Sequence, residues 1–391
     1  MNVAFVSRRP FPDGAVEQPI PENDPANIAY VLGGDYFSFL SLGKLRDNAM
    51  ARRLGGYDLV FVALDLRNLD VVERVAKACG ARLATYSEGG IGDYEMHPPA
   101  GQTAFLRLIR GAAINLLYWE AYVPFYRTLT AAPVEYLPYP YLLDRVEVLR
   151  TAPAERPRHV TLPSGFGGKT RNGLASLAVA KRLLEAGDIA RINCWLSKPN
   201  FADDAAAVRY FVEGTPLPVR RLPRLIRWRE WLRRSRIDYR PLLELRNRLF
   251  RKGPDAAPQA AASSERLALY ARRPWPDYMA VLARSKLLVD MNNRETVGRN
   301  ALDCAALRIP CVSTGRSDMQ RRLFPDTTLD DSWDVDGAVA LCRRLLDDQA
   351  FYQPVVEGAA VAVTEFGPDA FRRRWQAILE RHPQLCSLRG Q

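Results

Sequence analysis

Short runs of β-branched and aromatic residues alternate with runs whose apolar residues recur at helical spacing, and this alternation leaves few ways for the chain to fold. It calls for parallel strands joined by crossover helices. In the first part, strands are expected over residues 3–7, 59–64, 82–87 and 134–139, with a helix over 68–79 that stops at Gly80. The stretch TAPAERPRH, near residue 150, is rich in Pro, Ala and charge and reads as a domain boundary. Beyond it the alternation restarts, with strands over 159–163 and 191–196 around a helix over 174–186. It resumes with strands over 267–271 and 287–291 around a helix near 278–283, and helices over 337–347 and 368–381 close the chain. A length of 391 residues suits two domains of ordinary size, here 1–150 and 151–391. The expected fold class is α/β, two doubly wound Rossmann-like domains facing a cleft.

Composition removes several other classes. With 48% apolar and 25% charged residues the chain has the mix of a soluble globular protein. Its most apolar region, 112–126, is interrupted by Glu120 and is shorter than the roughly 20 residues that span a bilayer, so no transmembrane segment is expected. The start, MNVAFVSRRP, places its charges after a short apolar run and reads as a first strand, not a signal peptide. A cytoplasmic location follows, with peripheral attachment to the inner membrane surface as the second placement. Six cysteines form no CxxC pair, and with only His97, His159 and His382 beside them they read as buried free thiols and not as a zinc site. No metal and no cofactor are expected.

The net charge of +11 is unevenly placed. Between Arg220 and Lys252 twelve Arg and one Lys face only Glu230, Asp238 and Glu244, a local balance of +10. This basic segment lies in an insertion of about 208–264 that interrupts the second alternation and ends in the linker-like GPDAAPQAAASS. Its arginines are interleaved with Trp228, Trp231, Tyr239 and Phe250, which suits a polyanion surface, either nucleic acid or an anionic membrane. Packing against another subunit is the third option.

In doubly wound sheets, ligands gather at the carboxyl ends of the strands. The loop after the first strand, SRRPFPDGAVE, offers Gly14 for a close backbone approach to a ligand. The loop SEGGIGDYEMH carries Glu88, Asp93, Glu95 and His97 among three glycines. Glu88, Asp93 and His97 are candidates for moving a substrate proton, Glu88 first because it directly follows a strand. In SGFGGKTRNG, Gly168 lets a ligand approach the backbone, Lys169 and Arg171 supply cationic donors, and a helix begins at once. On its own this turn reads sooner as an ordinary strand-to-helix connection with solvated charges. Residues 287–314, LLVDMNNRETVGRNALDCAALRIPCVST, place Glu295 and Gly298 in a polar turn, then Arg299 and Asp303 in a short helix whose first N–H groups favour an anion.

The run RETVGRNALDCAALRIPCVSTGRSD resembles the retaining, family 4-like glycosyltransferases of the GT-B fold, in which a Glu, seven residues and a second Glu precede a small-residue helix and a Gly-x-Pro strand. Glu295, Gly298 and Pro310 match, and Asp303 stands where the second Glu would be. The FGGKTRNGL turn and PDYMAVLARSKLLVDM extend the likeness over most of the second half, while the first half matches in layout only. The resemblance implies transfer of a sugar from a nucleotide-diphosphate sugar to an acceptor hydroxyl, without a metal. It would set Glu295 on the donor sugar, Asp303 on the ribose, and Lys169 and Arg171 on the diphosphate. Arg299 fills a position usually apolar in that family. For the acceptor, a lipid-linked or surface glycan stands beside a hydroxymethylated DNA base of the phage type, and a non-catalytic binding module is the third reading.

Overall fold

The computed structural model describes residues 1–9, 11–20, 24–65, 68–87, 94, 97–163, 172–196, 201–215, 264–271 and 274–386. Two parallel sheets organise them. The first contains β1 (Val3–Ser7), β2 (Gly14–Ala15), β3 (Asp35–Ser38), β4 (Leu59–Ala63), β5 (Leu83–Ser87), β6 (Ile114–Leu117) and β7 (Val134–Tyr136), in the spatial order β2-β3-β1-β4-β5-β6-β7. Only the short edge strand β2 runs antiparallel to its neighbour. Every residue of β1, β4 and β5 is buried, as expected where helices cover both faces of a parallel sheet.

Side chains alternate across that sheet with period two. Ala4, Val6, Val60 and Val62 form one buried cluster with Met50, of the helix Asp47–Leu54, and Val72, of the helix Leu69–Cys79. Phe5, Phe61 and Tyr86 belong to the other core cluster, which continues into the second half of the chain. The closing helix Pro368–Arg381 brings Trp375 onto Phe61 with ring centroids 5.2 Å apart, and Arg381 and His382 both reach Glu135.

The second sheet contains β8 (His159–Leu162), β9 (Arg191–Leu196), β10 (Leu267–Ala271), β11 (Leu287–Asp290), β12 (Cys311–Thr314) and β13 (Thr328–Leu329), in the order β10-β9-β8-β11-β12-β13. Counted within the sheet this is 3-2-1-4-5-6, the order of dinucleotide-binding folds, and its switch point lies between β8 and β11. The loops that leave the carboxyl ends of these two strands are SGFGGKTRN and MNNRETVG, and residues 164–171 of the former lie outside the described residues.

Three elements go beyond the pattern read from the sequence. The apolar region 112–126 divides into β6, a 3-10 turn Glu120–Tyr122 and a helix Val123–Leu129. β3 is a four-residue strand, DYFS, too short for its alternation to register. The helix Gln349–Ala362 contains Pro354 and still forms, because Tyr352, Val355, Val356 and Ala359 bury a common face. All six cysteines are free, with Cys386 alone exposed. Among the described residues, no helix is long and apolar enough to cross a membrane.

Candidate functional site

The helix Arg299–Leu307 starts at the carboxyl edge of the second sheet, and its small buried residues let it pack close to that sheet: Ala301, Cys304, Ala305 and Ala306 are all buried. Gly298 is its N-cap, in the left-handed region at φ 88°. A Cβ there would lie 1.9 Å from Ser317 Oγ and 3.1 Å from Met319 Cβ, so this position admits only glycine. No side chain caps the helix, and its first N–H groups have no intrahelical acceptors.

The preceding turn is knitted to its neighbours at every step. Asn300 Nδ2 donates to Asp290 Oδ2 at 2.8 Å, and Asn292 Nδ2 donates to Thr296 Oγ1 at 3.1 Å. Thr296 forms a parallel bridge with Ser317, its N–H donating to Arg316 O at 3.0 Å and its carbonyl accepting from Asp318 N at 3.2 Å. Ser317 caps the helix Asp318–Leu323 through its hydroxyl. Replacing Gly298 by Ala would strain the backbone and displace that cap, so the full-length variant is expected to lose roughly 2 kcal/mol of stability. Denaturant unfolding checks this, and a variant as stable as the parent would contradict the assigned geometry.

Glu295 is half-buried, and its Oε2 accepts from the hydroxyl of Tyr122, a residue of the first domain. Asp303 is 2% exposed. Its Oδ1 accepts from Tyr141 Oη at 2.7 Å and from Trp275 Nε1 at 3.1 Å. Burial pushes this carboxyl up to about 7, against the opposing pull of the two hydrogen bonds and the Arg299 charge. Its proton-linked contribution to stability is therefore complete below about pH 4 and lost as the pH rises through about 7. The guanidinium of Arg299 lies over the ring of Tyr139, 5.5 Å from its centroid.

Glu295, Gly298, Arg299 and Asp303 thus meet at one edge of the second sheet, with Tyr122, Tyr139 and Tyr141 reaching them from the first domain and the crossing segment. Gly14 lies elsewhere, in β2 at φ 113°, paired with Tyr36 of β3. His97 is partly buried before the helix Pro99–Gly111, with its carbonyl accepting from Gln102 Nε2 at 2.9 Å. Among the described residues no hydrogen bond or ion pair joins Gly14 or His97 to the turn that carries Glu295. Glu88, Asp93, Glu95, Gly168, Lys169 and Arg171 lie outside the described residues, as does the segment from Arg220 to Lys252. No group of three His, Cys, Asp or Glu side chains able to hold a metal occurs among the described residues.

Tyr122, Tyr141 and Trp275 were not singled out from the sequence. For Tyr141 a signal existed: Leu137, Tyr139 and Tyr141 alternate through YLPYPYLLDR and are all buried.

No protein-family model matches the chain, and no curated protein matches its sequence. Solved structures do. Anabaena HepE in complex with UDP-glucose superposes with a TM-score of 0.61 at 11% identity, covering 97% of this chain and 100% of that one. A sucrose-phosphate synthase from Thermosynechococcus elongatus gives a TM-score of 0.62 at 15% identity over 99% of both chains. A trehalose-6-phosphate synthase, solved in a study of enzymatic glycosyl transfer with retention, gives 0.59 at 10% identity, covering 97% of this chain and 93% of that one. The fold is GT-B. In GT-B terms the first sheet belongs to the N-terminal domain and the second, with Glu295 and Asp303, to the C-terminal domain.

Proposed function

We propose that this protein is a glycosyltransferase that binds a UDP-sugar in its C-terminal domain and transfers the sugar to an acceptor hydroxyl. The observation that carries the reading is a turn that holds Glu295 three residues before Gly298, the N-cap of the helix Arg299–Leu307 whose start no side chain caps, leaving the β11 side of the switch point of a 3-2-1-4-5-6 sheet. One neighbouring GT-B structure holds UDP-glucose and two others are sugar-phosphate synthases, which supports a nucleotide sugar as the ligand.

In this reading the helix N–H groups, Lys169 and Arg171 carry the diphosphate. As the glycosidic bond breaks, negative charge grows on the departing phosphate oxygen, and fixed cations and N–H dipoles lower the barrier because they need no reorganisation. That charge is carried by protein groups, and the reaction proceeds without a metal. Glu295 accepts from a hydroxyl of the transferred sugar. Asp303, with Tyr141 and Trp275 both on Oδ1, offers Oδ2 to the ribose. Retention at the sugar is supported by the likeness to a trehalose-6-phosphate synthase described as acting with retention. The acceptor is the hydroxyl of a lipid-linked or surface glycan, met at the N-terminal side of the cleft, with Glu88, Asp93 or His97 taking its proton. Gly14 lets the donor approach that domain's backbone.

Titration calorimetry with UDP tests the phosphate assignment. Replacing Lys169 and Arg171 together by Ala is expected to weaken UDP binding by roughly a hundredfold or more, since hydrogen bonds to charged groups contribute about 1.5–3 kcal/mol each. An unchanged affinity would remove the SGFGGKTRNG turn from the donor site.

A further inference from the structure

Tyr122 and Glu295 are 173 positions apart in the chain, yet the phenol of the first donates to Oε2 of the second. The contact is not isolated. On the same 3-10 turn, Glu120 Oε2 accepts from Arg322 Nη2 at 2.7 Å. Arg322 is held in turn by Asp318 at 3.1 Å and lies 5.3 Å from the centroid of the Tyr136 ring. Asp318 opens the helix capped by Ser317, the residue that bridges to Thr296 directly after Glu295. The turn Glu120–Tyr122 is therefore fastened both to Glu295 and to the helix beside it. The Tyr122 ring also packs on Trp119, with centroids 4.7 Å apart.

A glutamate on a polar turn has several free rotations, and a carboxylate that must accept from one sugar hydroxyl gains from having its plane fixed beforehand. Here one oxygen is already taken by a charge-assisted hydrogen bond. Among the described residues, Oε1 has no hydrogen-bond partner, and it retains the capacity to accept.

We propose that Tyr122 is a positioning residue for Glu295: by occupying Oε2 it fixes the carboxylate and leaves Oε1 to accept from a hydroxyl of the donor sugar. The inference rests on the donor-site reading above and deepens it, because the sugar subsite is then completed by Tyr122 of the N-terminal domain, while the groups assigned to the diphosphate, Lys169, Arg171 and the helix N–H groups, all belong to the C-terminal domain. Free UDP, which lacks the sugar, should not sense Tyr122.

The test measures the affinities of full-length Tyr122→Phe, Glu295→Gln and the double variant for UDP and for UDP-glucose by calorimetry, with a thermal melt of each. Tyr122→Phe keeps the ring on Trp119 and loses only the hydroxyl. UDP affinity is expected to stay within about twofold of the parent, while UDP-glucose affinity falls roughly five- to tenfold. In the Glu295→Gln background the second substitution should add little, which a merely structural role for Tyr122 would not produce. Unchanged UDP-glucose affinity in Tyr122→Phe, with a loss in Glu295→Gln, overturns the positioning role and leaves the donor site standing. Equal losses for UDP and UDP-glucose also overturn it, since they mark a general loosening of the cleft. If the parent protein binds neither ligand, the donor-site reading falls and takes this inference with it.

Discussion

Replacing Arg156 by Met is expected to cost roughly 3–5 kcal/mol of stability, the largest effect of any single substitution considered. Arg156 is 5% exposed, and its guanidinium closes the carboxyl end of the helix Arg299–Leu307. Nη1 donates to Arg308 O at 2.6 Å and to Tyr352 Oη at 3.3 Å, while Nη2 donates to Leu307 O at 2.8 Å and Thr151 O at 2.6 Å. Arg150 adds a bond from Nε to Ala306 O at 2.8 Å. The helix ends with Ile309 N on Cys304 O and Arg308 N on Ala305 O, and Arg308 adopts φ 55°, a conformation that disfavours a side chain. A fixed cation therefore meets the negative end of the helix dipole and three carbonyls at once.

Methionine fills much of the same space but leaves those carbonyls without donors in the interior. Lysine keeps the charge but not the planar fork, so Arg156→Lys should fall between the two. Thermal and denaturant unfolding of the full-length proteins checks this order. A Met variant as stable as the parent would show that the carbonyls find other donors and that Arg156 is not the closure of this helix.

The same residue shows where reading the sequence stops. TAPAERPRH looks like a linker because it is rich in Pro, Ala and charge, and nothing in that composition points to carbonyl groups about 150 positions later in the chain. The alternation of strands and helices was legible because each period is local: Val3–Ser7, Arg191–Leu196, Leu267–Ala271 and Pro368–Arg381 form with the bounds their patterns imply. Residues 112–126 were not, since a continuous apolar run looks alike whether it is strand or helix, and tertiary packing divided it. The turn before the helix Arg299–Leu307 was legible as a strand-to-helix connection, through Gly298 and the small residues behind it. Its surroundings were not: Tyr122 on Glu295, and Tyr141 and Trp275 on Asp303, depend on how two domains and a crossing segment meet.

Glu295→Gln is expected to keep the fold and remove most of the sugar transfer. The two side chains have nearly the same shape, so the melting temperature should stay within about 2 °C for a change at a half-buried polar site. UDP binding should also persist, because the proposed function assigns the diphosphate to other groups. Under the proposed function, what changes is the charge at the oxygen that accepts from the donor sugar while positive charge develops on its ring, and loss of one such electrostatic contact costs roughly 100- to 1,000-fold in kcat. The most direct measurement is the rate of UDP release from a set of UDP-sugars by the parent and Glu295→Gln proteins, with glycan acceptors present and the glycosylated product identified by mass spectrometry. The account predicts turnover by the parent and a loss of about a hundredfold or more in the variant, with UDP still bound. Equal turnover by the two proteins would contradict it.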